Sequence, residues 1–394
     1  MTNSFHGYVI QANVAINESA LEKHLRILKP ELVHVLNNPT YAAHLKRNVI
    51  PDSHIYLRHY DADGDGNDWI QYTPQQYFDK YAWETMNGAL GLQISNEPGF
   101  GRDVTQKLVG FMAEGVKRGI LVAPGGFSVG SPPGTVGEWA IHDDFVKIIC
   151  DHPTLLSYSA HEYFQVLPTS GMITADTQPG EQLYFANHLR DISDWPSNIE
   201  RLTGMFHVGR CKAFVDYARS KGYRAPVVDI TEHGCDDVEG GKLKEWRMSL
   251  RNGQNIRGYK PCEQQWAEWF GLSRALTYTT MLAWIRNTIY KPLGVRGATL
   301  FTWGNSGKAD TSEDWQTFDC ATDFEFQTAL EKLAALQPPA PVPTPLPVPI
   351  PQPPEPPKPF FQPLDVKFCD MQIQSLQLQV EAWQHLRSSL EKVA

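Results

Sequence analysis

One pattern repeats through residues 1–336: a short apolar run, then an amphipathic one. The strand-like runs are GYVIQANV (7–14), LVHVL (32–36), HIYLRHY (54–60), ALGLQISN (89–96), GILVAPGGF (119–127), LLSYSAHEY (155–163), PVVDITE (226–232) and RGATLFTW (296–303). Between them, apolar residues recur at steps of three and four over 19–28, 104–118, 139–150, 199–221 and 263–290. A parallel neighbour strand can be reached only through a crossover, so strands alternating with helices predict a parallel sheet. Eight such units in one block predict an α/β fold of the (β/α)8 barrel type. A doubly wound open sheet is the alternative, but no GxGxxG or Walker A signature supports it.

The runs are apolar along their length and polar at their ends. The end residues include Gln11 and Asn13, Asn37, Arg58 and His59, Asn96 and Glu97, Ser128, His161 and Tyr163, Glu232, and Trp303. A barrel fills its interior with branched apolar side chains and carries its chemistry at the C-terminal ends of the strands. Glu97 follows the fourth strand in LQISNEPGFG, and Glu232 ends the seventh in APVVDITEHG. Strands four and seven lie across the mouth of a closed barrel from each other. Two carboxylates about 5–5.5 Å apart split a glycosidic bond by double displacement. Glu97 is the expected acid/base and Glu232 the expected nucleophile, with desolvation and mutual repulsion pushing their protonation states apart. For either glutamate alone, a surface ion pair is the competing explanation.

These residues carry a family resemblance. Asn96-Glu97-Pro98 after strand four and Glu232 after strand seven resemble the retaining (β/α)8 glycoside hydrolases of clan A, the 4/7 superfamily. His161-Glu162-Tyr163 is similar to the clan's His-x-Tyr on strand six, and Trp303 to its strand-eight tryptophan. GGFSVGSPPG and ATLFTWGNSG most resemble the glycoside hydrolase 39-type branch, which includes phage-associated members. The resemblance spans residues 1 to about 336. It implies that Asn96 bonds the sugar 2-hydroxyl, that Tyr163 orients Glu232, that His161 lines the −1 site and that Trp303 floors it. Arg58 would hold the nucleophile ionised, although the clan's arginine sits on strand two and Arg58 falls on strand three. No cofactor is implied.

Composition narrows the partners. A net charge of −9 without basic blocks argues against nucleic acid. No run of 18 apolar residues occurs, so no membrane span is expected. The N-terminus reads as a strand and not as a signal peptide, and the six scattered cysteines fit a reduced compartment. A cytoplasmic store released by lysis, or a virion-attached enzyme, is the expected setting. The long connections 164–196 and 235–262 hold Tyr184, Trp195, Trp246 and Tyr259. Such rings either build a cleft with several sugar subsites, as an endo-acting enzyme needs, or pin the loops to the barrel.

Two metal signals compete with the glycosidase pattern. Asp61, Asp63 and Asp65 with Gly66 match the first half of a calcium loop, but Tyr72 stands where the bidentate glutamate belongs. An acidic turn is the default there. His161, Glu162, His233 and Asp236 are a zinc set by residue type, though their positions fit the glycosidase roles better. Cys235, three residues beyond Glu232, is expected to be a packing residue.

The end of the chain changes character. Residues 337–363 hold 14 of the 29 prolines. Alternating proline cannot continue a helix or a ladder, so an extended polyproline II linker is expected, spanning roughly 70 Å over Pro338–Pro359. Residues 364–394 follow, with Ile373, Leu376, Val380 and Trp383 at helical spacing. This helix is expected to oligomerise or to dock on another body. The sequence thus predicts a retaining glycoside hydrolase, endo-acting on a β-linked polysaccharide or cell-envelope glycan. The alternatives are a non-catalytic carbohydrate-binding barrel, such as an adhesin or tail component, and a scaffold that oligomerises through its last helix.

Overall fold

Alternation of side chains along each strand sets the architecture. In the computed structural model the described residues are 4–12, 16–59, 68–85, 89–128, 131–164, 208–235, 258–260, 273–304, 316 and 318–335. The chain divides into two units, Met1–Ala340 and Pro341–Ala394, and all described residues lie in the first. The expected proline linker and terminal helix therefore fall outside them, as do Asp61, Asp63 and Asp65.

Eight parallel strands form the sheet: β1 (His6–Ile10), β2 (Leu32–Leu36), β3 (His54–Arg58), β4 (Gly91–Gln93), β5 (Leu121–Ala123), β6 (Tyr158–Phe164), β7 (Val228–Cys235) and β8 (Val295–Trp303). Their order is β5-β4-β3-β2-β1-β8-β7-β6, so first and last strands are neighbours. Parallel bridges at Val122–Leu156 and Phe127–Ala160 link the two remaining edges, which completes a TIM barrel. β4 and β5 are shorter than their apolar runs. Pro124 brings no N–H to a ladder, and the glycines at 125 and 126 follow it.

The helices begin and end where side chains can replace missing backbone partners. Asn17 accepts from the Ala20 N–H at the start of Glu18–Leu28, which buries Leu21, Leu25 and Leu28 on one face. Thr73 and Gln76 cap Pro74–Tyr81 reciprocally. Arg102–Arg118 stops at Gly119, whose φ of 67° suits glycine.

Two cores result. The larger lies between strands and helices and includes Tyr8, Ile10, Val33, Val35, Ile230, Ala298 and Leu300. Their sequence neighbours point into the barrel. Leu32, Tyr56 and Ala123 pack together there, as do Val9, Leu36, Tyr163, Phe301 and Phe318. At the N-terminal end, Arg296 of β8 pairs with the fully buried Asp229 of β7 and donates to the Tyr56 hydroxyl at 3.0 Å. Among the described residues, no helix is long and apolar enough to cross a membrane.

Candidate active site

Glu232 reaches the barrel interior because β7 is irregular. Val228 and Ile230 face the helices, so strict alternation would send Glu232 outward with them. Between Ile230 and His233, however, β7 advances three residues while β8 advances two, from Ala298 to Leu300. On its other side β7 takes two steps against one of β6, pairing Glu232 with His161. Thr231 is the extra residue, and this bulge re-aims the glutamate.

Three residues then surround the carboxylate. Arg58 Nη1 lies 2.5 Å from Oε1, and the Tyr163 hydroxyl donates to Oε2 at 2.7 Å. His161 Nδ1 is 3.3 Å from Oε2. The same Arg58 nitrogen donates to Asn96 Oδ1 at 2.6 Å, which fixes the asparagine beside Glu97. Burial alone would raise the Glu232 pKa. The charges of His161 and Arg58 and the bonds from Tyr163 and Arg58 outweigh it and bring it down to about 2. Glu232 is thus an anion at neutral pH.

Glu97 stands opposite, its side chain 46% exposed against 8% for Glu232. His161 Nδ1 is 3.2 Å from its Oε1, so one imidazole touches both carboxylates. The nearest reactive atoms of Glu97, His161 and Glu232 all lie within 4.8 Å of one another. Glu97 has φ 43°, the left-handed region that is costly for a residue with a side chain, and its N–H donates to the Gly126 carbonyl at 2.8 Å. Gly126 is itself dictated by the site, since a Cβ there would lie 2.1 Å from His161 Nε2.

Two oxygens and one nitrogen so close could also receive a cation. The nucleophile-side oxygens, however, already hold Arg58 and Tyr163, and a cation would have to compete with the guanidinium. The zinc set read from sequence does not assemble. Glu162 faces the helices, where it accepts from the N–H groups of Gly209 and Cys211 at the start of helix Cys211–Ser220. His233 contacts the Glu162 carbonyl and Tyr290 on that same side, away from His161. Asp236 lies outside the described residues.

Trp303 departs from the expected role. Tyr8 of β1 pairs with Leu300, but Ile10 pairs with Trp303, three residues on β8 for two on β1. This second irregularity turns the indole to the helix side, where it stacks on His24 at 5.6 Å and meets Tyr8 edge-on at 5.1 Å. It is 1% exposed and does not floor the mouth. Phe301 is the β8 ring near Tyr163, at 6.4 Å. Cys235 is buried in the outer core. Tyr259 is also buried, stacked on Tyr278 and bonded to Asp323, so it pins a loop and presents no platform. Tyr184, Trp195 and Trp246 lie outside the described residues. Sequence reasoning missed His34 and Gly126. His34 was signalled by being the one polar residue of LVHVL, in phase with the inward-facing Leu32 and Leu36.

No family model matches the chain, and no curated protein matches it. Similar solved structures include an endo-β-1,4-glucanase from Xanthomonas axonopodis pv. citri, at 10% identity and TM-score 0.41 over 84% of this chain and 98% of that one. A β-glucanase from Saccharophagus degradans has 10% identity and TM-score 0.40 over 84% and 88%. A β-glucosidase from Exiguobacterium marinum has 10% identity and TM-score 0.36 over 81% and 86%. Scores and identities this low do not assign an activity.

Proposed function

We propose that the chain is a retaining glycoside hydrolase that cuts within a β-linked polysaccharide or cell-envelope glycan. The observation that carries this reading is the carboxylate pair. Oxygens of Glu97 and Glu232 lie within 4.8 Å, the close spacing of double displacement and not the roughly 6.5–9.5 Å that leaves room for a water in inverting enzymes. The resemblance of GGFSVGSPPG and ATLFTWGNSG to the 39-type branch, phage-associated members included, belongs to the same proposal.

In the first step Glu232 attacks the anomeric carbon as Glu97 gives its proton to the departing glycosidic oxygen. The products are a glycosyl ester on Glu232 and a free hydroxyl on the leaving sugar. In the second step Glu97 takes a proton from water, whose oxygen displaces Glu232 with the starting anomeric configuration restored. Arg58 keeps the nucleophile anionic, and Tyr163 holds one of its oxygens in place. Asn96, fixed by Arg58, is the expected contact to the 2-hydroxyl.

A screen over β-glucans and bacterial envelope glycans with reducing-end detection should find a substrate. Glu97→Gln should then lower turnover by about 10²–10⁴-fold, and Glu232→Gln should abolish it, while both still bind the glycan. A 2-fluoro sugar should label Glu232. An inverted product anomer, or undiminished turnover in either variant, would overturn the mechanism. Binding without hydrolysis by the wild type would favour the carbohydrate-binding barrel.

A further inference from the structure

The bulge that turns Glu232 inward exposes the question of what holds it. The Thr231 carbonyl is bonded by two side chains from different strands. Thr299 Oγ1 of β8 donates to it at 2.6 Å, and His34 Nδ1 of β2 lies 3.2 Å away across the interior. A carbonyl can only accept, so Nδ1 must carry the proton. His34 is fully buried, and Nε2 has no hydrogen-bond partner among the described residues. An orphaned ring nitrogen at that depth is costly, and a leucine or valine would fill the space without the cost. The expense makes sense if the Nδ1 contact is what the position requires.

We propose that His34 is a positioning residue that, together with Thr299, clamps the Thr231 carbonyl and so locks the bulge that aims Glu232 at its partners. The proposal rests on the retaining-hydrolase reading for its kinetic consequence but not for its structural one. Burial brings the His34 pKa down to about 3, aided by Arg58 and opposed by Glu232 and the Thr231 bond. The ring therefore stays neutral, and the clamp persists through any working pH. Among the described residues, the groups facing Glu232 are Arg58 from β3, His161 and Tyr163 from β6, Glu97 after β4 and His34 from β2. Loosening the bulge would let the carboxylate drift from the first three.

The test compares His34→Leu, His34→Asn and Thr299→Val. An asparagine keeps an N–H donor near the position of Nδ1. His34→Leu should lower kcat on the order of 10- to 100-fold with KM nearly unchanged, as a small misplacement of a reacting group does. It should also move the acid limb of kcat/KM upward, and His34→Asn should restore most of both. Thr299→Val should act in the same direction. The double variant His34→Leu/Thr299→Val should lose less than the product of the single losses, because both side chains act on one carbonyl. Independently of any substrate, the Glu232 carboxyl resonance in 13C-glutamate-labelled protein, assigned through Glu232→Gln, should titrate at higher pH in His34→Leu. Should the wild type hydrolyse nothing, that titration still decides the clamp. Should His34→Leu not fold, Thr299→Val decides it alone. An unshifted resonance in a folded variant, or no rescue by asparagine, would overturn the proposal.

Discussion

His161 and Arg58, with the Tyr163 hydroxyl, hold Glu232 ionised against its burial. The folded-state pKa of about 2 lies below the ordinary 4.5. Ionisation of Glu232 therefore stabilises the fold above pH 4.5, and that contribution is lost as pH falls from 4.5 towards 2. Arg58→Met leaves burial and His161 to compete over the carboxyl. The acid limb of kcat/KM should move up by on the order of one to three pH units, and stability should fall by about 3–5 kcal/mol because an unpaired charge remains buried. A pH–rate profile with a parallel denaturation curve checks both. Gly126→Ala probes the opposite end of the site. The added methyl must displace His161 or Gln93, since it would fall 2.1 Å and 2.7 Å from their side-chain nitrogens. We expect turnover to fall on the order of 100-fold with little change in glycan affinity, measured by titration calorimetry. At this scale the sequence was legible where a residue ends a strand beside another polar one, as Asn96, Glu97, His161 and Tyr163 do. It was illegible where the reason is a contact from a distant strand, as for Gly126 under His161.

The strands were readable as elements because burial on both faces writes a continuous apolar run. All eight appear in order, and their ends differ by a few residues. What the runs could not show is phase. Glu232 and Trp303 both sit one step beyond an irregularity, and each lies on the face opposite to the one simple alternation gives it. Glu232 faces the barrel interior because of the bulge at Thr231, while Trp303 is turned to the helix side by the three-for-two pairing of β8 with β1. Bulges are set by neighbouring strands, so one strand's sequence does not announce them. The lower ends of β7 and β8 tell a simpler story. Asp229 accepts from Arg296 Nε at 2.9 Å and also pairs with its Nη2. Asp229→Ala removes the counter-charge of a guanidinium that is 20% exposed. A loss of about 3–5 kcal/mol in urea denaturation is expected, with the acid limb of any surviving activity unchanged, because the mouth lies at the other end of the strands.

The whole barrel is two arcs joined at two places. One junction is the β1–β8 ladder, which runs from His6–Ala298 to Ile10–Trp303. The other is the pair of bridges between the β5 and β6 sides, at Val122–Leu156 and Phe127–Ala160, with the His161 N–H donating to the Phe127 carbonyl at 2.9 Å. Glu97 belongs to the arc on one side of this second junction, while His161 and Glu232 belong to the other. The described backbone bonds across this seam are those of the Val122 N–H to the Leu155 carbonyl, the Ser157 N–H to the Val122 carbonyl and the His161 N–H to the Phe127 carbonyl, and we expect so short a seam to open locally before the fold unfolds globally. On warming, the gap between the carboxylates should therefore lose definition while the described helices and most of the sheet still give a native spectrum. The turnover proposed above should fall before the far-ultraviolet circular dichroism changes on heating and return on cooling, which the two measurements made in parallel check.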